Sequence, residues 1–304
     1  MTVQVHWCPE YVCMGSETTE KSLWIAADLM VNPIDGVEIV DPYSCLDDDD
    51  VIEVAKAVHS DDHVDLAVGG VGLGVWVPQG DRDRAVASIL ASSAGMVSGA
   101  RAVANGERRV VSLSAGMHHA SVDTSAGFCT FNGLAMAARE LQDMGVEKIL
   151  ILDLDAHHGG GTEAILAERM SRVGHLDLAV DPFDNYRSKR ANTDMLTLPK
   201  GKRHRGNYLP TIEFMLAEWT RTHGAPEVVI YNAGMDPHQD CGIGGRKGIT
   251  TADLRERERL VAAWTFAQGS SLLAGLAGGY VGGKLTAKTL TALHRATIEE
   301  IAWG

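Results

Sequence analysis

Short apolar runs alternate with amphipathic stretches along the whole chain. Apolar runs bounded by turn-forming residues predict strands at Val3 to Trp7, Val37 to Val40, Arg109 to Leu113, Lys148 to Leu154, Glu227 to Asn232 and Ser271 to Leu276, with a further strand near Leu176. Helical spacing predicts helices at Ser22 to Met30, Asp47 to Val58, Arg84 to Asn105, Phe131 to Met144, Asn207 to His223, Thr250 or Thr251 to Gln268, and Leu285 to Ala302. KILILDL and EVVIYN are nearly continuous apolar runs, the mark of strands covered on both faces. Strands alternating with helices predict an α/β fold, a single three-layer αβα domain over residues 1–304 with a mostly parallel central sheet. No linker rich in Pro or Ser divides the chain, and no internal repeat is visible.

Composition narrows the function classes. Hydrophobic residues make up 45% and charged residues 22% of 304, enough to build a core and too apolar for a disordered chain. The 27 Lys and Arg against 40 Asp and Glu leave a net charge of −13. Such a surface repels nucleic acid and anionic membrane and attracts cationic small molecules. Five scattered cysteines without a C-x-x-C pair read as free thiols in a reducing compartment. The N-terminal residues carry no leader signature, and no apolar run approaches the ~20 residues of a membrane span. A soluble, cytoplasmic protein is the expectation. The Asp47–Asp50 run could bind metal, but acids before a helix more often cap it. Gly70-x-Gly72-x-Gly74 lacks dinucleotide spacing, so no nucleotide site is expected. His59, His63, His175 and His204 read as surface or core residues, and Cys129 as a small buried one.

In open α/β sheets chemistry gathers at the carboxyl ends of strands. Four strand ends here carry titratable residues beside glycine: Ser114 to Ala120 with His118-His119, Asp155 to Thr162 with His157-His158, Ala233 to His238 with Asp236, and Ala277 to Tyr280. Asp155 and His157, two apart, point the same way where a strand runs out. With Asp236 they make an O,N,O set of the kind catalytic zinc uses while keeping a position open for water. The His118-His119 pair offers proton acceptors, and Tyr280 can donate to a developing oxyanion. These parts suit metal-assisted amide hydrolysis.

The motifs G-M-H-H-A, G-F-C-x-F-N (Gly127 to Asn132), D-x-D-x-H-H-G-x-G-T, N-A-G-x-D-P-x-x-D (Asn232 to Asp240) and L-A-G-G-Y follow one another in an order that resembles the zinc-dependent deacetylases. That group comprises histone deacetylases, acetylpolyamine amidohydrolases and acetoin-utilisation deacetylases. The resemblance covers roughly residues 50–300 and implies an arginase/deacetylase-like fold. It implies Zn2+ (or Fe2+) on Asp155, His157 and Asp236, with one ion per chain. His118 and His119 match the tandem catalytic histidines, Asp153 the carboxylate that orients the first of them, and Tyr280 the carbonyl-polarising tyrosine. Phe128, with Gly127 beside it, matches an aromatic wall of the acyl channel. Trp76 and His238 are expected near its mouth.

The chain departs from that pattern at identifiable positions. Gly160 stands where the family carries an Asp or Asn that orients the second histidine, which implies a weaker base at His119 unless a water or another side chain substitutes. Trp76 or Val77 replaces the acid that grips peptide backbone, so the expected partner is a small acylated amine rather than a histone peptide. Ser16 to Lys21 stands where an H-P-E-x-P-x-R segment is usual. Ala179 replaces a serine of a monovalent-cation site, leaving that cation open. Two further readings compete: a catalytically impaired protein that binds acylated ligands, motivated by Gly160, and a binuclear manganese ureohydrolase, which needs further Asp ligands. A homo-oligomer is compatible with the sequence.

Overall fold

The computed structural model describes residues 2–75, 81–115, 117–201 and 206–304. Among them the strands form one sheet: β1 (Val3–His6), β2 (Val37–Val40), β3 (Arg109–Ser112), β4 (Ile149–Asp153), β5 (Gly174–Ala179), β6 (Thr193–Thr197), β7 (Val228–Asn232) and β8 (Ser271–Gly275). The spatial order is β2-β1-β3-β8-β7-β4-β5-β6, and every neighbouring pair is parallel. Parallel strands need crossovers, and the helices supply them: α1 (Glu17–Val31), α2 (Asp48–Val58), α3 (Asp61–Val68), α4 (Arg82–Ala104), α5 (Gly133–Asp143), α6 (Gly160–Arg169), α7 (Tyr208–His223), α8 (Thr251–Ala267) and α9 (Ala287–Trp303).

Strand alternation divides the core in two. Leu150, Leu152, Val229, Tyr231 and Leu272 face a layer formed by α1, α7, α8 and α9. Ile149, Ile151, Val228, Ile230 and Leu273 face the opposite layer of α2 to α6. The expected three-layer αβα architecture is therefore the observed one.

Local chemistry fixes several element boundaries. The acidic run caps α2: Asp47 accepts from the Asp50 amide at 3.0 Å, and Asp50 accepts from the Asp47 amide at 3.0 Å. α8 begins with the same reciprocal box between Thr250 and Asp253. α4 corrects one expectation, because it is long and apolar enough to cross a membrane. Its apolar positions are mostly buried in the fold, where Gly95 and Gly99 let Tyr11 and Leu273 approach the helix backbone. It is a core helix.

Candidate active site

The register sets Ser112, Gly275, Asn232 and Asp153, the last residues of four adjacent strands, in one row with Asp177 of β5. The loops leaving β3, β8, β7 and β4 therefore rise side by side, and residues from 118 to 280 meet above the sheet.

Asp155, His157 and Asp236 meet there, with one potential ligand atom from each lying within 4.8 Å of the others. His157 Nδ1 is 3.2 Å from Asp155 Oδ1 and 3.2 Å from Asp236 Oδ2. The outer carboxylate oxygens are held by backbone: Gly278 N–H donates to Asp155 Oδ2 at 3.1 Å, and Ala156 N–H to Asp236 Oδ1 at 2.9 Å. Asp236 Oδ2 is buried without a hydrogen bond, its approach to His157 being poorly aligned for one. A buried oxygen left unpaired beside a second carboxylate and an imidazole is what a divalent-cation site presents to the ion. Burial and Asp155 raise the Asp236 carboxyl to about 6. Burial opposes the His157 imidazolium, yet Asp155 and Asp236 overcome it and raise that group to about 11. The cluster thus attracts positive charge, and a cation and a proton would compete for it.

The two imidazoles of His118 and His119 lie beside this cluster, with ring centroids 3.9 Å apart. His118 Nδ1 is 2.8 Å from Asp153 Oδ2, and Asp153 Oδ1 accepts from Asn232 Nδ2 at 2.9 Å and from the Asp155 amide at 3.1 Å. A carboxylate can only accept, so His118 carries a proton on Nδ1 and turns Nε2 toward Asp155, 3.6 Å away. Burial disfavours its charged form, but Asp153, Asp155 and Asp236 outweigh burial and raise it to about 10. His119 Nδ1 is 2.7 Å from Asp184 Oδ2. Burial and His118 lower His119 against the pull of Asp184. Of the two substitutes left open for the residue missing at 160, the structure places a side chain there: the Asp184 carboxylate reaches His119 from the loop after β5.

Gly127 is packed so closely that a Cβ there would lie 2.2 Å from the His119 ring. Phe128, at φ 66, is 37% exposed, and its ring centroid is 5.6 Å from that of Tyr280. Burial, Asp236 and Asp155 push the Tyr280 hydroxyl well above the usual tyrosine range, so it remains a proton donor. Besides Asp184, sequence reasoning missed two residues here. Phe183, 51% exposed, stands edge-on to His119 at 5.0 Å and to His157 at 5.7 Å. Lys21 reaches from α1 to donate to the Ala277 carbonyl and, at 3.4 Å, to the Gly279 carbonyl, bracing the turn that carries Tyr280. The signal for Phe183 lay in the Asp181-Pro-Phe-Asp loop. For Lys21 it was a lone lysine at a core position of an amphipathic helix.

Other candidates lie elsewhere. His238 is buried, where Nδ1 accepts from the Asp240 amide at 3.2 Å and Nε2 meets Thr251 Oγ1 at 3.1 Å. His158 turns away to Asp177 and Thr197. His59, His63 and His175 are buried, as is Cys129. Ala179 ends β5 without a side-chain oxygen. Trp76, Val77 and His204 lie outside the described residues.

A wholly parallel αβα domain with this acid-and-histidine cluster over its strand ends defines the arginase/deacetylase class. The chain belongs to the histone deacetylase domain family, which its residues 53–296 match. It is 44% identical over 81 residues to the acetylpolyamine amidohydrolase of Mycoplana ramosa, covering 26% of this chain and 24% of that protein. It is 29% identical over 206 residues to a probable deacetylase of Archaeoglobus fulgidus, covering 62% and 55%. The fold superposes on an acetylpolyamine aminohydrolase from Burkholderia pseudomallei with a TM-score of 0.78, at 17% identity and over 99% of both chains. Its TM-score against the HDA15 HD domain is 0.74, at 17% identity, over 99% of this chain and 89% of that one. The matched segments cover at most about half of these curated relatives' length, and about a quarter of each acetylpolyamine amidohydrolase.

Proposed function

We propose that the protein is a metal-dependent amidohydrolase that removes an acetyl or other short acyl group from a small amine. The observation that carries this reading is the meeting of the Asp155, His157 and Asp236 cluster with the His118-His119 pair at adjacent strand ends. When bound, a divalent cation such as Zn2+ supplies Lewis-acid chemistry there, polarising the acyl carbonyl and acidifying water. The chain's own residues do the rest. Phe128 and Phe183 flank the acyl-amine stem and exclude water. Tyr280 donates its hydroxyl proton in a hydrogen bond to the acyl oxygen as negative charge develops on it. Imidazole Nε2 atoms of the pair take a proton from the attacking water and return one to the departing nitrogen. The water oxygen bonds to the acyl carbon, the C–N bond breaks, and carboxylate and amine leave.

Two considerations favour a small cationic amine: the net charge of −13 and the names of two relatives, both acetylpolyamine amidohydrolases. The motive for a catalytically impaired binding protein weakens once Asp184 stands beside His119. A ureohydrolase needs a second ligand set, and among the described residues one cluster of this kind is present. The test is metal content by mass spectrometry, together with turnover of a monoacetylated diamine and a fluorogenic trifluoroacetyl-lysine. About one zinc per chain and turnover in the wild type are expected, with both lost in Asp236→Ala. A zinc-supplied wild type that binds no metal, or that binds it and cleaves neither substrate, would count against the reading.

A further inference from the structure

The carboxylate that the family places directly after H-H-G is replaced here by Gly160, the first residue of α6. Its space is not empty. A Cβ built on Gly160 would lie 2.4 Å from Asp184 Oδ1 and 2.5 Å from the Asp184 carbonyl oxygen. No heavy atom fits at those distances, so a side chain at 160 and the observed Asp184 exclude one another.

Asp184 is held where it is. The Phe183 carbonyl accepts from the His158 amide at 3.1 Å, and the Phe183 amide donates to Asp181 Oδ1 at 3.0 Å. Asp184 itself adopts φ 56, a left-handed conformation that aspartate tolerates better than most residues. Its Oδ2 accepts twice, from His119 Nδ1 at 2.7 Å and from the Gly161 amide at 3.3 Å. The edge of Phe183 restricts rotation of the same imidazole. A carboxylate on Nδ1 fixes the proton on that nitrogen and leaves the Nε2 lone pair for the reaction.

We infer that Asp184 is the positioning residue of His119, delivered from the loop after β5, and that the bare glycine at 160 is the condition for its delivery. This assignment rests on the proposed function only in treating His119 as a proton carrier. It predicts a set of linked results. In Asp184→Ala, kcat for the acyl substrate falls roughly 10- to 100-fold with KM within about twofold. In the same variant the low-field Nδ1–H resonance of His119 disappears from spectra of 15N-histidine-labelled protein, assigned by its absence in His119→Gln. Metal content is unchanged. Asp184→Asn keeps the resonance and recovers part of kcat, because the Gly161 amide selects the Asn oxygen, not its nitrogen, for the shared position. Gly160→Ala, which pushes the carboxylate away without altering it, reproduces the loss.

An unchanged resonance and unchanged kcat in folded Asp184→Ala would overturn the assignment. So would a resonance lost equally in Asp184→Asn and Asp184→Ala, or a fall in kcat that only tracks lost metal. If Asp184→Ala does not fold, Asp184→Asn and Gly160→Ala decide. The resonance is read whether or not the wild type turns over, so a failed substrate screen and a failed Asp184 assignment remain distinguishable.

Discussion

At the scale of single residues, the site depends on positions where nothing larger than hydrogen fits. A Cβ at Gly278 would lie 2.4 Å from Asp155 Oδ2 and 2.5 Å from Asp236 Oδ2, between the two carboxylates of the cluster. Gly278→Ala must therefore displace at least one of them. We expect it to weaken zinc binding by at least about tenfold, the scale of effects seen when a ligand's hydrogen-bonded support is lost, measured by competition with a fluorescent chelator. Wild-type affinity in the variant would mean that the carboxylates are free to rearrange. Tyr280→Phe removes one hydroxyl and leaves Phe128 its aromatic neighbour. It should lower kcat by roughly 100- to 1,000-fold with little change in metal content, the magnitude typical of losing one oxyanion donor. A rise in KM with kcat unchanged would remove Tyr280 from the chemical step. The metal candidates and the histidine pair were legible because titratable residues beside glycine recur after strand after strand. Asp184 was not legible: it lies 65 positions from His119 in an ordinary polar loop, and only the folded distance joins them.

At the scale of elements, α8 acts as a brace. Arg257 is fully buried, and its Nη1 donates to the Leu154 carbonyl at 3.0 Å and to the Gly234 carbonyl at 2.8 Å, next to Asp155 and two residues before Asp236. Its charge is met by Glu258 at 2.6 Å, which also accepts from Tyr231. Arg257→Met strands a buried carboxylate and should destabilise the protein by about 3–5 kcal/mol in urea unfolding. Arg257→Met with Glu258→Gln should recover part of that loss, since the double variant buries no lone charge. Equal destabilisation by the single and double variants would contradict this account. Continuous apolar strands such as β4 and β7 were readable from sequence because both faces are covered. β6 is an edge strand whose half-exposed TDMLT carries no such run. β5 was readable only as a strand near Leu176, without bounds, because His175 and Asp177 interrupt its apolar run; His175 Nδ1 pairs with Glu163, and Asp177 with His158 and Gly159. α6 opens on Gly160-Gly161, poor helix formers placed there for the site rather than for the helix.

At the scale of the whole molecule, stability is coupled to ions. Asp155, Asp236 and His157 are packed together under strong mutual influence, so a cation bound there stabilises the folded state by mass action. Chelation should lower the calorimetric midpoint of the holoprotein, and Asp236→Asn should reduce that difference. A midpoint indifferent to chelator in zinc-loaded protein would refute the coupling. Protons act through other residues. His59 accepts from the Asn132 amide on Nε2 and pairs with the Ser121 carbonyl through Nδ1, an arrangement only the neutral ring can make. Burial lowers His59 and His6 to about 4 each, against an ordinary value near 6.5. Between those values the unfolded chain takes up protons that the folded one refuses. Stability from these rings is therefore present above about pH 6.5 and is lost as pH falls toward 4. The loss is on the order of 2 kcal/mol per ring between pH 7 and pH 5. His59 should show no titration of its Cε1–H shift over that range, and the urea midpoint should fall. A midpoint of titration near 6.5 for His59 would disprove this account.

The shared space of Gly160 and Asp184 ties the two positions together in descent. A lineage holding both side chains would suffer a collision, and one holding neither would leave His119 without its carboxylate. Passage between the two solutions is therefore epistatic, with each exchange harmful until the other has occurred. Read at the helix position alone, H-H-G-G-G would be filed with decayed homologues. Read as a pair with the aspartate at 184, it is a marker by which relatives sharing this arrangement can be gathered into a branch of their own.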